Sequence, residues 1–170
     1  MSEKEYQEAV LEYADMIYRI AFHHCANRED AEDIMQNVFL KLYRCNREFS
    51  GSEEKKRWLI RITVNECHSL FRMFWRSRRQ ELEAYEWDKL ADGGPEMAKR
   101  VCGDCSELYL AVMELPAKYR VCIYLYYYEE YSVKEIADIL QCKESAIQTR
   151  LMRARNQLRQ KLKGGFEDDR

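Results

Sequence analysis

Apolar residues recur along this chain at helical intervals and almost nowhere alternate as in a strand. Tyr6, Val10, Tyr13, Ile17 and Ile20 fall at steps of four, three, four and three. That spacing is one buried stripe of an amphipathic helix, predicted from about Lys4 to Cys25. Asn27 is placed to cap a second helix whose first turn holds Glu29 and Asp30, where carboxylates suit the helix dipole. Its core stripe is Ala31, Ile34, Met35, Val38 and Leu42. After a polar loop, Arg47 to Glu54, with the turn Ser50-Gly51-Ser52, a long helix is expected from Lys55 to about Arg79. It would turn Leu59, Ile60, Thr63, Val64, Cys67, Leu70, Phe71 and Phe74 inward.

Periodicity then weakens. Residues 80–107 are acidic, contain Asp92-Gly93-Gly94-Pro95, and read as a flexible linker with at most a short helix around Leu82 to Leu90. Helical spacing returns at Leu108 to Leu115, and Pro116 suits the first position of the next helix. In that helix Val121, Ile123, Tyr124, Leu125, Tyr127 and Tyr128 leave little polar face, so it is expected at the centre of a core. Ser132 and Glu135 form a capping box ahead of Ile136, Ala137 and Leu140. Beyond the turn Gln141-Cys142-Lys143, Ile147, Leu151, Ala154 and Leu158 mark a last helix, and the tail GGFEDDR should fray. The fold class is all-α. Two small helical domains, 1–79 and 108–163, are joined by the linker 80–107 and followed by the tail 164–170.

The outward faces carry the chemistry. With its stripe inward, the last helix points Ser145, Thr149, Arg153 and Asn156 outward, with Arg150 and Arg155 on the flanks. A helix-turn-helix presents its second helix to a DNA major groove in this way. On the helix Lys55 to Arg79 the outer edge reads Arg61, Asn65, His68, Arg72 and Arg76, a stripe of donors suited to phosphates and base edges. Trp58, beside the polar loop, is placed either to stack on an unpaired base or to join the core. The second helix shows Asp33, Gln36, Asn37, Leu40 and Arg44 outward, and a leucine amid polar neighbours suggests a partner surface.

Net charge is only −2, but it is segregated. Lys55 to Arg79 holds eight Lys or Arg against Glu66, and Lys143 to Lys163 holds seven against Glu144. Two basic segments on an otherwise acidic chain suggest two contacts with a polyanion. Seven cysteines, an odd number at irregular spacing, do not form a disulfide framework, and Cys67 and Cys122 sit at apolar helix positions. Cys102 and Cys105 make the one CxxC, half of a structural zinc site with no second pair; His23, His24 and Cys25 point apart on a helix. No phosphate-binding loop, nucleophile–base pair or metal constellation is present, so no catalytic, metal or cofactor site is expected. No signal pattern or bilayer-length apolar run occurs, and a cytoplasmic protein is expected.

Taken in order, Asp30 to Arg44 (DAEDIMQNVFLKLYR), the helix Lys55 to Arg79, and LPAKYR…YSVKEIADIL…ESAIQTRLMRARNQLR resemble the sigma-70 family of RNA polymerase sigma factors. The short extracytoplasmic function (ECF) type fits best. The resemblance implies two helical domains, region 2 and region 4, and covers nearly the whole chain apart from the linker. It places Asp33 and Gln36, with Asn37 and Leu40 beside them, on the surface that docks on the clamp helices of the polymerase largest subunit. It assigns Trp58, Arg61, Asn65 and Arg72, in line with His68 and Arg76, to the reading of a melted −10 element. Thr149, Arg150, Arg153 and Arg155, with Ser145 and Asn156 on the same exposed side, become the −35 reader.

It also implies promoter DNA and an anti-sigma factor as partners. Three positions depart from the family pattern: Asn37 stands where Glu is common, Gln141 where Gly is frequent, and Lys143 where Ser is usual. The implied function is promoter-specific initiation. The alternatives are a helix-turn-helix regulator of another kind, and a polymerase-binding adaptor that does not direct initiation.

Overall fold

Asn27 does what its position suggests. Its side-chain oxygen accepts from the backbone N–H groups of Glu29 (2.9 Å) and Asp30 (3.3 Å), opening α2 (Arg28–Arg44) just after α1 (Glu3–Cys25) ends. The structure is a computed structural model that describes residues 2–78 and 107–167, with side chains over 2–73 and 107–162. Two compact units make up the chain, Met1–Phe22 with Asn27–Tyr85, and His23–Ala26 with Glu86–Arg170. Every regular element among the described residues is helical.

In the first unit α2 packs along α3 (Ser52–Arg78). Ile17 and Ile20 of α1, Ile34 and Leu42 of α2, and Leu59 and Ile60 of α3 are all fully buried. Each contributes on the order of 1.5–3 kcal/mol through burial. Cutting any one back to alanine would cost roughly 2–5 kcal/mol, because a cavity adds to the lost transfer term. Thr63, the one polar residue of the predicted α3 stripe, is also buried, and its hydroxyl donates to the Leu59 carbonyl at 2.8 Å. Phe74 lies outside the described side chains.

Helix α3 starts three residues before the expected Lys55. The Lys55 N–H bonds to the Gly51 carbonyl, and Glu54 reaches back to the Ser50 N–H and hydroxyl, both at 2.8 Å. The turn residues Ser50-Gly51-Ser52 thus serve as a helix start rather than as loop. Those two bonds and the Arg47 guanidinium hold the Glu54 carboxyl down at about 2.

The second unit contains α4 (Glu107–Met113), α5 (Ala117–Tyr127), α6 (Val133–Leu140) and α7 (Glu144–Glu167). Helix α7 packs against the other three. Leu115, Tyr119 and Ala154 form a buried cluster, with Ile123 and Leu158 packed on it. Pro116 is the N-cap of α5, not its first helical residue; it has extended backbone at φ −52°, ψ 142°.

The apolar run of α5 misled the expectation about its end. Tyr124 and Leu125 are buried, but Tyr127 and Tyr128 are 55% and 70% exposed. Its middle instead buries Arg120 completely. That guanidinium donates to the carbonyl of Met113 (2.9 Å), an acceptor that the end of α4 leaves without a helical partner, and to that of Leu115 (2.7 Å) just past the helix. A cation there also meets the negative end of the helix dipole.

Among the described residues, three non-glycine residues have positive φ, each just past a helix: Ala26 (54°), Glu130 (58°) and Gln141 (52°). At Gln141, ψ is 48°, and the Cys142 N–H returns to the Ala137 carbonyl at 3.0 Å, the long bond of a Schellman-type ending. The turn therefore does need the left-handed conformation that glycine takes without strain. Helix α7 runs on through Gly164 and Gly165 to Glu167, past the expected end at 163. The helix continues there despite the roughly 1 kcal/mol that each glycine costs relative to alanine. The predicted linker 80–107, with Cys102 and Cys105, lies outside the described residues, apart from Glu107, which opens α4.

Candidate nucleic-acid interface

Two helix edges carry the candidate DNA contacts, one in each unit. On α3, Asn65, His68 and Arg72 are exposed and follow at steps of three and four, while Arg61 is half-buried. Asn65, His68 and Arg72 line one cleft of about 680 Å³ with Ser69, Phe71 and Lys41. Lys41 comes from α2 and pairs with Glu66, whose carboxylate lies in the same cleft. The sequence pattern gave Lys41 no role, because it reads only as one more polar residue of α2. The Arg76 side chain lies outside the described residues.

Trp58 is half-buried, and the ring of Phe49 meets it edge-on at a centroid distance of 5.5 Å. Arg47 in turn lies over Phe49, 5.7 Å from its centroid, and pairs with Glu54. Trp58 is therefore neither a free platform nor full core. It is the fixed end of a small aromatic and cationic cluster in the loop before α3. Phe49, the one aromatic in the stretch Arg47 to Glu54, was the overlooked signal.

On α7, Ile147, Leu151 and Ala154 are buried, so the opposite side faces outward as the spacing requires. Ser145, Arg153 and Asn156 are exposed. Thr149 is half-buried, and its hydroxyl donates to the Ser145 carbonyl at 2.8 Å, which fixes its orientation. Gln148 and Met152 are exposed between these positions, Met152 at 53%, and belong to the same outer face. A polar-only stripe missed them.

The two flanking arginines are engaged differently. Arg155 donates to the Tyr127 hydroxyl at 2.9 Å and lies over the rings of Tyr126 and Tyr127, 5.4 and 5.7 Å from their centroids. The Tyr127 bond is the main reason its pKa is raised. Arg150 sits beside the buried Cys122. Burial pushes that thiol up, and the arginine only partly opposes the shift, so Cys122 stays a neutral core residue.

A third face lies on α2. Asp33, Gln36, Asn37 and Leu40 are all exposed, Leu40 at 47%. Tyr43 continues this face one turn on, 58% exposed, with its ring edge-on to Tyr6 at 5.3 Å. An exposed leucine and tyrosine in line are more than a stray apolar residue.

These faces meet known proteins at the same places. The family model described as Sigma-70 region 2 matches residues 9–79, and that described as Sigma-70, region 4 matches residues 105–158. The ECF RNA polymerase sigma factor SigW of Bacillus subtilis is 30% identical over 159 residues, covering 89% of this chain and 85% of that protein. The chain is an ECF-type member of the sigma-70 family. The ECF sigma factor SigE of Mycolicibacterium smegmatis is 32% identical over 159 residues; the match takes in 92% of this chain but spans 61% of that longer protein.

Among solved structures, the sigma factor RpoE of Bartonella quintana in complex with the anti-sigma factor NepR matches with a TM-score of 0.70 at 23% identity. That match covers 94% of this chain and 98% of the other, and shows the shared fold. Within the region 2 match lie the α2 face, the Phe49–Trp58 cluster and the α3 edge. Within the region 4 match lie α5, α6 and the outer face of α7 through Asn156.

Proposed function

We propose that this sigma factor binds core RNA polymerase and directs promoter-specific initiation by two readings of DNA. Region 4, residues 108–163, reads the −35 element as duplex, with the outer face of α7 in the major groove. Arg153 is its principal base-edge donor, while Ser145, Thr149, Arg150 and Asn156 contact the groove or its phosphates. Region 2, residues 1–79, holds the melted −10 strand. An extruded base enters the α3 cleft of Asn65, His68 and Arg72, and the backbone tracks Arg61 and Arg76. Stacking on an aromatic such as Trp58 is worth about 1–3 kcal/mol per base, which offsets part of the cost of melting without an ATP site. The α2 face of Asp33, Gln36, Asn37 and Leu40 docks on the clamp helices of the largest polymerase subunit. Residues 80–107 act as the linker between the readers.

The observation that carries this reading is the pairing of regions 2 and 4 in one chain, each with its own basic helix edge. The catalysis belongs to the polymerase, and this chain contributes binding. No described helix is long and apolar enough to cross a membrane. Work on polymerase places the protein in the cytoplasm. The solved relatives RpoE with NepR and CnrH with the cytosolic domain of CnrY support an anti-sigma protein as a third partner. The test is in-vitro transcription with purified core polymerase and genomic fragments. New start sites that require this protein are expected. Core binding with no new start sites would leave only an adaptor role.

A further inference from the structure

A cleft of about 420 Å³ runs between the first turn of α5 and the start of α7. Four cations line it, Lys118, Lys143, Arg150 and Arg153, and no carboxylate is among its described lining residues. Four like charges around one hollow repel each other, and an anion between them relieves that repulsion. Three of the four belong to α7 or the turn before it. Lys118 does not: it comes from α5, outside the helix-turn-helix.

Its ammonium lies 5.5 Å from the centroid of the Tyr119 ring, and that ring is buried, so the lysine stem is braced at the lip of the cleft. The positive end of the α5 dipole adds to the same field. Ser145 and Thr149 also line the cleft, so it opens onto the face of α7 that reads the groove.

We propose that Lys118, with Lys143, clamps a DNA backbone phosphate beside the −35 element and sets the register of α7 in the groove. The inference rests on the reading of α7 as a major-groove helix. A phosphate contact fixes position and carries no sequence information. It releases counterions, so each one steepens the salt dependence of log K by about 0.9. Lys143 stands where a capping side chain would otherwise sit, and a clamp role gives that cation a function in place of the cap.

The experiment is fluorescence anisotropy of the full chain on two labelled duplexes, one carrying a −35 element found by the transcription assay and one scrambled. Salt is varied from about 50 to 200 mM, a range over which one phosphate contact changes affinity about 3.5-fold. Lys118→Ala should lose the same factor on both duplexes and make the slope shallower by about 0.9, and Lys118→Arg should restore it. Lys4→Ala, which removes an exposed lysine of α1, is the control for net charge.

A Lys118→Ala slope equal to that of the control overturns the clamp, as does a loss confined to the −35 duplex. If the wild type binds both duplexes equally, promoter reading fails while the clamp stands on its slope. No binding by the wild type at the lowest salt overturns both.

Discussion

Replacing Gln141 by glycine should stabilise the helix-turn-helix. At φ 52° and ψ 48° an L-residue brings its Cβ against its own carbonyl, at a cost of roughly 1–2 kcal/mol. Glycine removes that strain but has more freedom to lose on folding, roughly 0.5–1 kcal/mol. The Gln141 side chain is exposed, so little packing is lost with it. The balance favours glycine by about 0.5–1 kcal/mol, because the strain term is the larger. Gln141→Ala keeps the Cβ and should gain nothing, which separates strain from any effect of the glutamine side chain.

All three tryptophans, Trp58, Trp75 and Trp87, precede α4, so their fluorescence is a poor reporter of this unit. Hydrogen exchange of peptides spanning Ile136 to Leu151 reads the opening free energy in place. The glycine variant should exchange about two- to fivefold more slowly there, and the alanine variant at the wild-type rate. Equal rates for glycine and wild type, or equal slowing by alanine, would refute the strain argument.

Arg153→Ala should weaken −35 duplex binding by roughly 1–3 kcal/mol and relax preference at one base position, read by competition among single-base variants of the site. Equal loss on every sequence would make Arg153 a phosphate contact instead. Gln36→Ala combined with Leu40→Ala should lower affinity for core polymerase several-fold, since burying the exposed half of a leucine is worth about 1 kcal/mol, while binding to free promoter DNA is unchanged. Unchanged retention of core in a pull-down would remove that surface. The depressed Glu54 carboxyl stabilises the start of α3 fully above its ordinary 4.5, and loses this as pH falls through about 2. Glu54→Gln should therefore lower the denaturation midpoint at pH 6, with the deficit shrinking as pH drops from 4.5 towards 2. A deficit independent of pH would show that shape, not charge, is what Glu54 supplies.

Periodicity located most of the helices because each has one wet and one dry side, and it failed where that contrast is missing. In α5 nearly every position is apolar, so the pattern has no phase, and the exposed Tyr127 and Tyr128 cannot be told from the buried Tyr124 and Leu125. Arg120 was invisible for the opposite reason. An arginine reads as surface, and the carbonyls of Met113 and Leu115 that justify its burial become acceptors only once α4 has ended there. Clefts are harder still, because they join elements. Lys41 and Lys118 each enter a candidate site from a helix other than the one that carries the candidate DNA contacts, and no spacing within one helix reports that.

The same limit applies to Arg150, Arg153 and Arg155 of α7: spacing sets Arg153 outward and the other two on the flanks, but does not report what each flank meets. Arg153 is exposed on the outer face, Arg150 lies beside Cys122, and Arg155 is tied to Tyr127. For Arg155 to reach DNA it must give up a charge-assisted hydrogen bond and two ring contacts. Such a bond is worth roughly 1.5–3 kcal/mol and the ring contacts about 0.5–1 each at an exposed site. A DNA phosphate returns a comparable amount, so that exchange is near neutral. A near-neutral exchange gives Arg155 no gain from leaving Tyr127, which ties α7 to α5, so on the proposed reading base discrimination by the arginines is expected chiefly at Arg153. Exposed Tyr127 is then no flaw in the core, since its hydroxyl is the anchor for that tie.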